Sequence, residues 1–137
     1  MKEFMKVYEK LISESAFKNK KWHFDKTLKD IQIFENYTHL RERLKIRYSK
    51  DISDWIYWSI LKTQIINKFL ELGSWSKCSK KNPYQRGFTI SLTFSKIWLS
   101  GILQNDLEDK VKRIYFSTFL PEKPTFNKND IYLELPL

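Results

Sequence analysis

Residues 88–95 have the sequence FTISLTFS, in which apolar and hydroxyl-bearing side chains alternate along the whole stretch. Because successive side chains of a strand point to opposite faces, this period of two predicts a half-buried strand with Phe94 on its apolar face. Residues 111–120 are rich in β-branched and aromatic side chains and predict a second strand. A third strand is expected over residues 130–135, whereas residues 97–103 fit either a continuation of the first strand or a short helix.

The part of the chain before residue 88 predicts helices. Residues 2–17 place apolar side chains on one helical face, and residues 53–72 are apolar around most of a helix. Residues 25–48 also fit one helical stripe, and we favour a helix there. Short strands are the alternative, because Ile31, Ile33 and Phe34 form a short apolar run and residues 44–48 alternate between apolar and basic side chains.

The order of these elements, helices first and strands afterwards, decides the expected fold class. It predicts an α+β fold in which N-terminal helices pack on a C-terminal antiparallel sheet of about three strands. A length of 137 residues is usual for one domain, and 3 Gly and 4 Pro leave little room for a flexible linker. We therefore expect a single basic domain over residues 1–137.

The charge of the chain is strongly positive and unevenly distributed. Lys and Arg number 25 against 16 Asp and Glu, which gives a formal net charge of +9. Residues 1–87 contain 19 basic and 10 acidic residues, whereas residues 88–137 contain 6 of each, so the excess lies entirely in the first part. An excess of this size makes an anionic partner the first hypothesis.

A basic loop over residues 74–87 is the most specific binding signal. It contains no acidic residue and combines cations, hydroxyl groups and two aromatic rings. Phosphates bind cations and polar donors, and unpaired bases stack on flat rings. The predicted nucleic-acid contacts in this loop are Trp75, Lys77, Lys80, Lys81, Tyr84 and Arg86. The alternative is a solvated connector whose aromatic rings only cover the edge of the core.

Two further basic groups precede the loop. The first consists of Arg41, Arg43, Lys45 and Arg47, followed by Lys50. In a helix, side chains four residues apart share a face, so this group would present two cationic faces. The second group surrounds Trp22, and its predicted contacts with nucleic acid are Lys20 and Lys21. Either group is also explained as an ordinary solvated surface.

Catalytic and metal-binding signals are weak. Cys78 is the only cysteine, which excludes an internal disulfide and a thiolate-rich zinc site. His23 and His39 match no catalytic spacing. The nuclease-like Glu108-Asp109-Lys110 element also needs an upstream acidic ligand, yet no Asp or Glu occurs between Glu71 and Asp106. We therefore predict no catalytic residues, no metal and no cofactor, and we favour a non-enzymatic protein.

The sequence thus predicts a small protein that associates with DNA or RNA through its phosphate backbone. The alternative is a protein-binding module, an inhibitor or a subunit, which docks on an acidic or nucleic-acid-binding surface of another protein. A small nuclease or toxin ranks third. The chain has no apolar run of about 18 residues and no secretory signal at its N-terminus, so we expect a cytoplasmic protein without a membrane contact.

Overall fold

The computed structural model describes residues 22–50, 55–78, 84–121, 124 and 130–137. Within these ranges the chain forms a mixed sheet of six strands, two α-helices and one 3₁₀ helix. In chain order the elements are β1 (His23–Leu28), β2 (Ile31–Glu35), α1 (Tyr37–Tyr48), α2 (Trp55–Glu71), the 3₁₀ helix (Ser74–Lys77), β3 (Gln85–Leu92), β4 (Ile97–Asp106), β5 (Val111–Leu120) and β6 (Ile131–Leu135). The predicted helix over residues 2–17 lies outside the described residues.

The strands lie in the order β1-β2-β5-β4-β3-β6. Neighbouring strands are antiparallel except for two parallel pairs, β2 with β5 and β3 with β6. The hairpin of β1 and β2 therefore extends the sheet beyond β5. The last strand, β6, extends it on the opposite side.

The predicted fold of N-terminal helices on a three-stranded antiparallel sheet was wrong. Two of the six strands precede both helices, the sheet is mixed, and β4 supplies a further strand at the position that the sequence left open. Other segments coincide with predicted elements, because α2 falls within residues 53–72 and β3, β5 and β6 overlap the three predicted strands. The error is thus concentrated in residues 25–48, where only the second half is helical.

The hairpin of β1 and β2 explains that error. Its two turn residues, Lys29 and Asp30, have φ angles of 50° and 66°, the left-handed pair that a tight hairpin turn needs. Asn-Gly or Asp-Gly usually marks such a turn, so Lys-Asp gives no signal in the sequence. A bulge at Asp25 interrupts the strand period as well.

One face of the sheet carries the core, and α2 lies over it. The ring of Trp58 packs edge-on against Phe116, with 5.6 Å between ring centroids, and Phe69 packs in the same way against Phe88 at 5.1 Å. Aromatic pairs with this geometry add stability beyond the area that they bury. The fully buried aliphatic residues on this face of the sheet include Ile31, Ile33, Ile90, Leu99, Leu103 and Ile114.

The other face of the sheet carries a line of polar side chains. Gln85, Gln104, Arg113 and Gln32 are register partners across four neighbouring strands. The Arg113 guanidinium donates to Oε1 of Gln32 at 3.0 Å and to Oε1 of Gln104 at 3.3 Å. These bonds link β2, β5 and β4 on this face.

Candidate nucleic-acid interface

Strand β5 separates two of the basic groups that the sequence predicted, the loop that begins at Ser74 and the group in α1. The Trp75 indole donates to the carbonyl of Arg113 near the start of this strand, and the Tyr48 hydroxyl donates to the carbonyl of Leu120 at its end. Seven residues of strand span about 20 Å, which exceeds the Debye length of about 8 Å at physiological ionic strength. The described residues of the basic loop, 74–78 and 84–87, and the basic helix therefore lie at opposite ends of the sheet.

We name these ends by their anchoring residues. The Trp75 end consists of the 3₁₀ helix, the β4–β5 turn at residues 107–110 and the first residues of β5. The Tyr48 end consists of α1 with Lys50, the β3–β4 turn at residues 93–96 and the last residues of β5.

Side chains of α1 cover the edge of β5 that β2 leaves unpaired. The β2–β5 pairing stops at Glu35 and Phe116, and beyond it His39 Nε2 lies 3.1 Å from the Thr118 hydroxyl. Arg47 donates to the carbonyl of Phe119. Asn36 caps the start of the helix: its side chain accepts from the His39 amide, an arrangement that stabilises helix starts. The whole helix is thereby fixed at the Tyr48 end.

The cations of α1 lie on two flanks of the helix. Leu40 and Leu44 are its buried residues, and each residue is rotated by about 100° from the one before it. Arg41 and Lys45 consequently lie on one side of the buried stripe, whereas Arg43 and Arg47 lie on the other. Because the segment is helical, it has the two cationic faces that we expected for a helix. Arg47 also uses part of its guanidinium to bind the sheet edge.

The β3–β4 turn adds two residues to the Tyr48 end that the sequence did not indicate. The Trp98 amide donates to the Tyr48 hydroxyl at 3.3 Å. Lys96 precedes Trp98 by two residues, so the Cα atoms of Lys96 and Trp98 are at most about 7.6 Å apart. Strand β3 ends at Leu92, and Phe94 lies in the turn with 79% of its surface exposed. Phe94 continues the apolar alternation of the strand, which is why the pattern predicted it to be buried.

At the Trp75 end, the structure does not display the predicted residues as one surface. Trp75 is 2% exposed and packs against Phe69, with 6.2 Å between ring centroids, so its ring belongs to the core. Lys77 is exposed, whereas Tyr84 and Arg86 are half-buried. The remaining predicted contacts, Lys20, Lys21, Lys80 and Lys81, lie outside the described residues.

The charge of the Trp75 end is mixed. Lys110 and Lys112 are exposed there, but Glu108 and Asp109 are exposed in the same turn. Arg86, at the start of β3, lies close to an acid: burial raises the pKa of Asp130, and the positive charge of Arg86 partly offsets that rise. Acidic side chains therefore weaken the positive potential at this end.

No protein-family model, curated protein or solved structure matches this chain. Among the described residues, no helix is both long and apolar enough to cross a membrane.

A buried cluster of charges is a second feature that the sequence did not indicate. Lys62 of α2 is fully buried, and its ammonium lies 2.7 Å from Asp25 and 2.9 Å from Glu35. The Trp58 indole also donates to Glu35 at 2.7 Å. These contacts join α2 to the β1–β2 hairpin, and the ammonium contacts one oxygen of each carboxylate. The cluster therefore has a structural role.

The other residues with catalytic potential also make structural contacts. Burial raises the pKa of the Cys78 thiol to about 11, and the nearby positive charge of Arg86 offsets only part of that shift. The backbone amides of Glu108 and Asp109 both donate to the Asp106 carboxylate, which makes the Glu108-Asp109-Lys110 element a turn. No group of three or more metal-ligating side chains occurs in the described part of the chain.

Proposed function

We propose that the protein is a non-enzymatic protein that binds the phosphate backbone of nucleic acid, and that the Tyr48 end carries the main contacts. One observation supports this proposal above the others. Residues 37–50 and 93–96 hold six cationic residues, and Glu42 is their one acidic residue. The cationic residues are Arg41, Arg43, Lys45, Arg47, Lys50 and Lys96.

The accessibility of these cations also supports the proposal. Lys45, Lys50 and Lys96 are exposed, and none of the three has an ion-pair partner among the described residues. A cation without an acidic neighbour displaces counterions when it contacts a phosphate, and the release of those counterions favours binding. Lys45 and Lys96 also have no acid within two residues in the sequence, although Asp51 follows Lys50, whereas Lys110 at the Trp75 end follows directly after two exposed acids.

The matched experiment compares equal charge changes at the two ends. Lys96 and Lys110 both occupy hairpin turns with φ angles of 57° and 55°, and Lys45 and Lys112 are both exposed in regular structure. The double variants K45Q/K96Q and K110Q/K112Q therefore lose the same charge from similar backbone positions. Affinity for a fluorescently labelled oligonucleotide is measured by anisotropy at several salt concentrations.

We expect K45Q/K96Q to bind about tenfold or more weakly and to lower the salt slope by about 0.7 to 0.9 for each lost phosphate contact. The variant K110Q/K112Q should stay close to the wild-type protein. Equal losses in both variants would mean that binding depends on total charge, and a wild-type protein that does not bind nucleic acid would end the proposal.

Docking on an acidic protein surface is the second candidate function. The Tyr48 end exposes two large apolar side chains beside its cations, Ile46 at 64% and Phe94 at 79%. Exposed apolar side chains within a charged rim are typical of protein interfaces. A defined protein that stays bound after nuclease treatment, and that K45Q/K96Q releases, would favour this function over the first.

A further inference from the structure

We infer that Phe94 is a stacking platform for an unpaired base, so that the nucleic acid bound at the Tyr48 end is single-stranded. This inference rests on the proposed function and adds the substrate class. Phe94 is the most exposed of the large apolar side chains in the described residues, at 79%. A flat ring that projects into solvent offers a face to a base of any sequence.

Backbone hydrogen bonds hold the two residues that flank Phe94 in the sequence. The Thr93 amide donates to the carbonyl of Leu135 and the Ser95 amide to that of Leu137, each at 2.9 Å. The Thr93 hydroxyl also donates to the Leu135 carbonyl, at 3.2 Å. These bonds tie the turn to β6 and the residues after it, so the ring is presented on an ordered backbone. A preordered contact loses little conformational entropy on binding.

The surroundings of the ring match a nucleotide better than they match an apolar partner. Lys96 follows Phe94 by two residues, and hydroxyl-bearing Thr93 and Ser95 flank it directly. A stacked base therefore has a cation and the Ser95 hydroxyl close by for its phosphate, while the Thr93 hydroxyl donates to the Leu135 carbonyl. Glu134 of β6 is exposed and lies across β3 from Trp98, on the side away from α1.

A single strand fits this geometry more readily than a duplex. Bases in a duplex are already stacked on one another, and a side chain reaches their faces only by unstacking a base step. Unpaired bases stack on aromatic side chains without that cost. The α1 cations at the same end of the sheet can then follow the backbone of neighbouring nucleotides.

The test uses three labelled probes with the same number of phosphates in the bound strand: a thymidine oligonucleotide of about 12 nucleotides, its abasic counterpart, and the thymidine strand in a duplex. The variants are F94A, F94L and F94W. L107A is the matched control, because Leu107 is 49% exposed in the turn at the opposite end. Since Phe94 is mostly exposed, F94A should fold like the wild-type protein, and circular dichroism checks this.

We expect F94A to weaken binding of the thymidine strand by about 5- to 150-fold and to leave binding of the abasic strand unchanged. F94W should bind at least as tightly as the wild-type protein, F94L should resemble F94A, and L107A should have no effect. If F94L keeps full affinity, or if F94A weakens the duplex equally, base stacking is excluded.

Failure of this inference differs from failure of the proposed function. If the wild-type protein binds all three probes with a steep salt dependence and F94A has no effect, the stacking role is overturned and phosphate binding is retained. Protein that binds none of the probes removes both. An effect of F94A on a bound protein partner alone would assign the ring to protein docking and overturn the inference.

Discussion

The ammonium of Lys62 lies 2.9 Å from the Glu35 carboxylate, and both side chains are buried between α2 and the sheet. Asp25 supplies a second carboxylate at 2.7 Å, from the bulge in β1. Two acids thus share one buried cation. The pairing adds a charged link between the edge hairpin and α2 to the apolar core that Ile31 and Ile33 share with that helix.

The first prediction concerns the loss of that cation. Lys62→Met should lower the free energy of unfolding by about 3–5 kcal/mol, because Glu35 and Asp25 would then be buried without a counter-charge. Urea denaturation measures the change. The double variant Lys62→Met with Glu35→Gln should lose less than the sum of the two single variants, since it leaves fewer unpaired charges. A single Lys62→Met variant of wild-type stability would show that the Lys62 ion pairs do not contribute to the stability of the fold.

The second prediction concerns Gly101 in the middle of β4. A Cβ atom at this position would lie 2.1 Å from the carbonyl oxygen of Tyr115 and 2.3 Å from the Phe88 ring. The carbonyl belongs to the neighbouring strand and cannot move away, so Gly101→Ala should cost about 3 kcal/mol or more. Thermal unfolding measures this loss of stability. Ser100→Ala, one residue earlier, is the control, and an equal loss there would point to strand propensity instead of a clash.

The third prediction concerns the attachment of α1. Tyr48→Phe removes a hydroxyl that accepts from the Trp98 amide and donates to the Leu120 carbonyl. Leaving those two backbone groups unsatisfied should cost about 1–3 kcal/mol and speed hydrogen exchange at Trp98. Tyr84→Phe is the control, because no hydrogen bond of the Tyr84 hydroxyl connects it to the described residues. Unchanged exchange at Trp98 would mean that the helix is held without Tyr48.

How far the sequence predicts this fold depends on whether the hydrophobic period agrees with the backbone geometry. It does in β3, where Phe88, Ile90 and Leu92 alternate into the core, whereas β5 and α2 were predicted from their apolar composition and coincide with the prediction. It does not in the first hairpin, where left-handed Lys29 and Asp30 make a turn without glycine and the Asp25 bulge adds a residue. Helical and strand periods therefore both fit residues 25–48, and the helix that we favoured for the whole segment forms only in its second half.

The candidate site was harder to predict, because its parts depend on tertiary placement. The cations of α1 are visible in the sequence, but only the bonds of Trp75 and Tyr48 to opposite ends of β5 separate them from the basic loop. Phe94 was assigned to the apolar face of a strand, yet β3 ends two residues before it. Lys96 carries the left-handed backbone of that turn, a conformation that the sequence signals reliably only when glycine or asparagine occupies it.

The last prediction concerns Cys78 and pH. Burial raises the pKa of its thiol to about 11, from an ordinary value of 9.0. At pH 8 only about one molecule in a thousand carries the reactive thiolate, so alkylation of the folded protein should be about 100-fold slower than in denaturant and should accelerate about tenfold per pH unit until pH 11. The unfolded chain ionises first, near pH 9.0. Stability from the neutral thiol is therefore complete below pH 9.0 and declines as the pH rises towards 11.

Comparison with Cys78→Ala isolates this contribution, because lysines and tyrosines titrate in the same range and affect both proteins alike. The difference in free energy of unfolding between the two proteins should be constant below pH 9.0 and should shift in favour of Cys78→Ala above it. Rapid alkylation at pH 8 with saturation near pH 9.0 would show instead that the thiol is accessible to water and that its contact with the Leu103 carbonyl, at 3.7 Å, is transient.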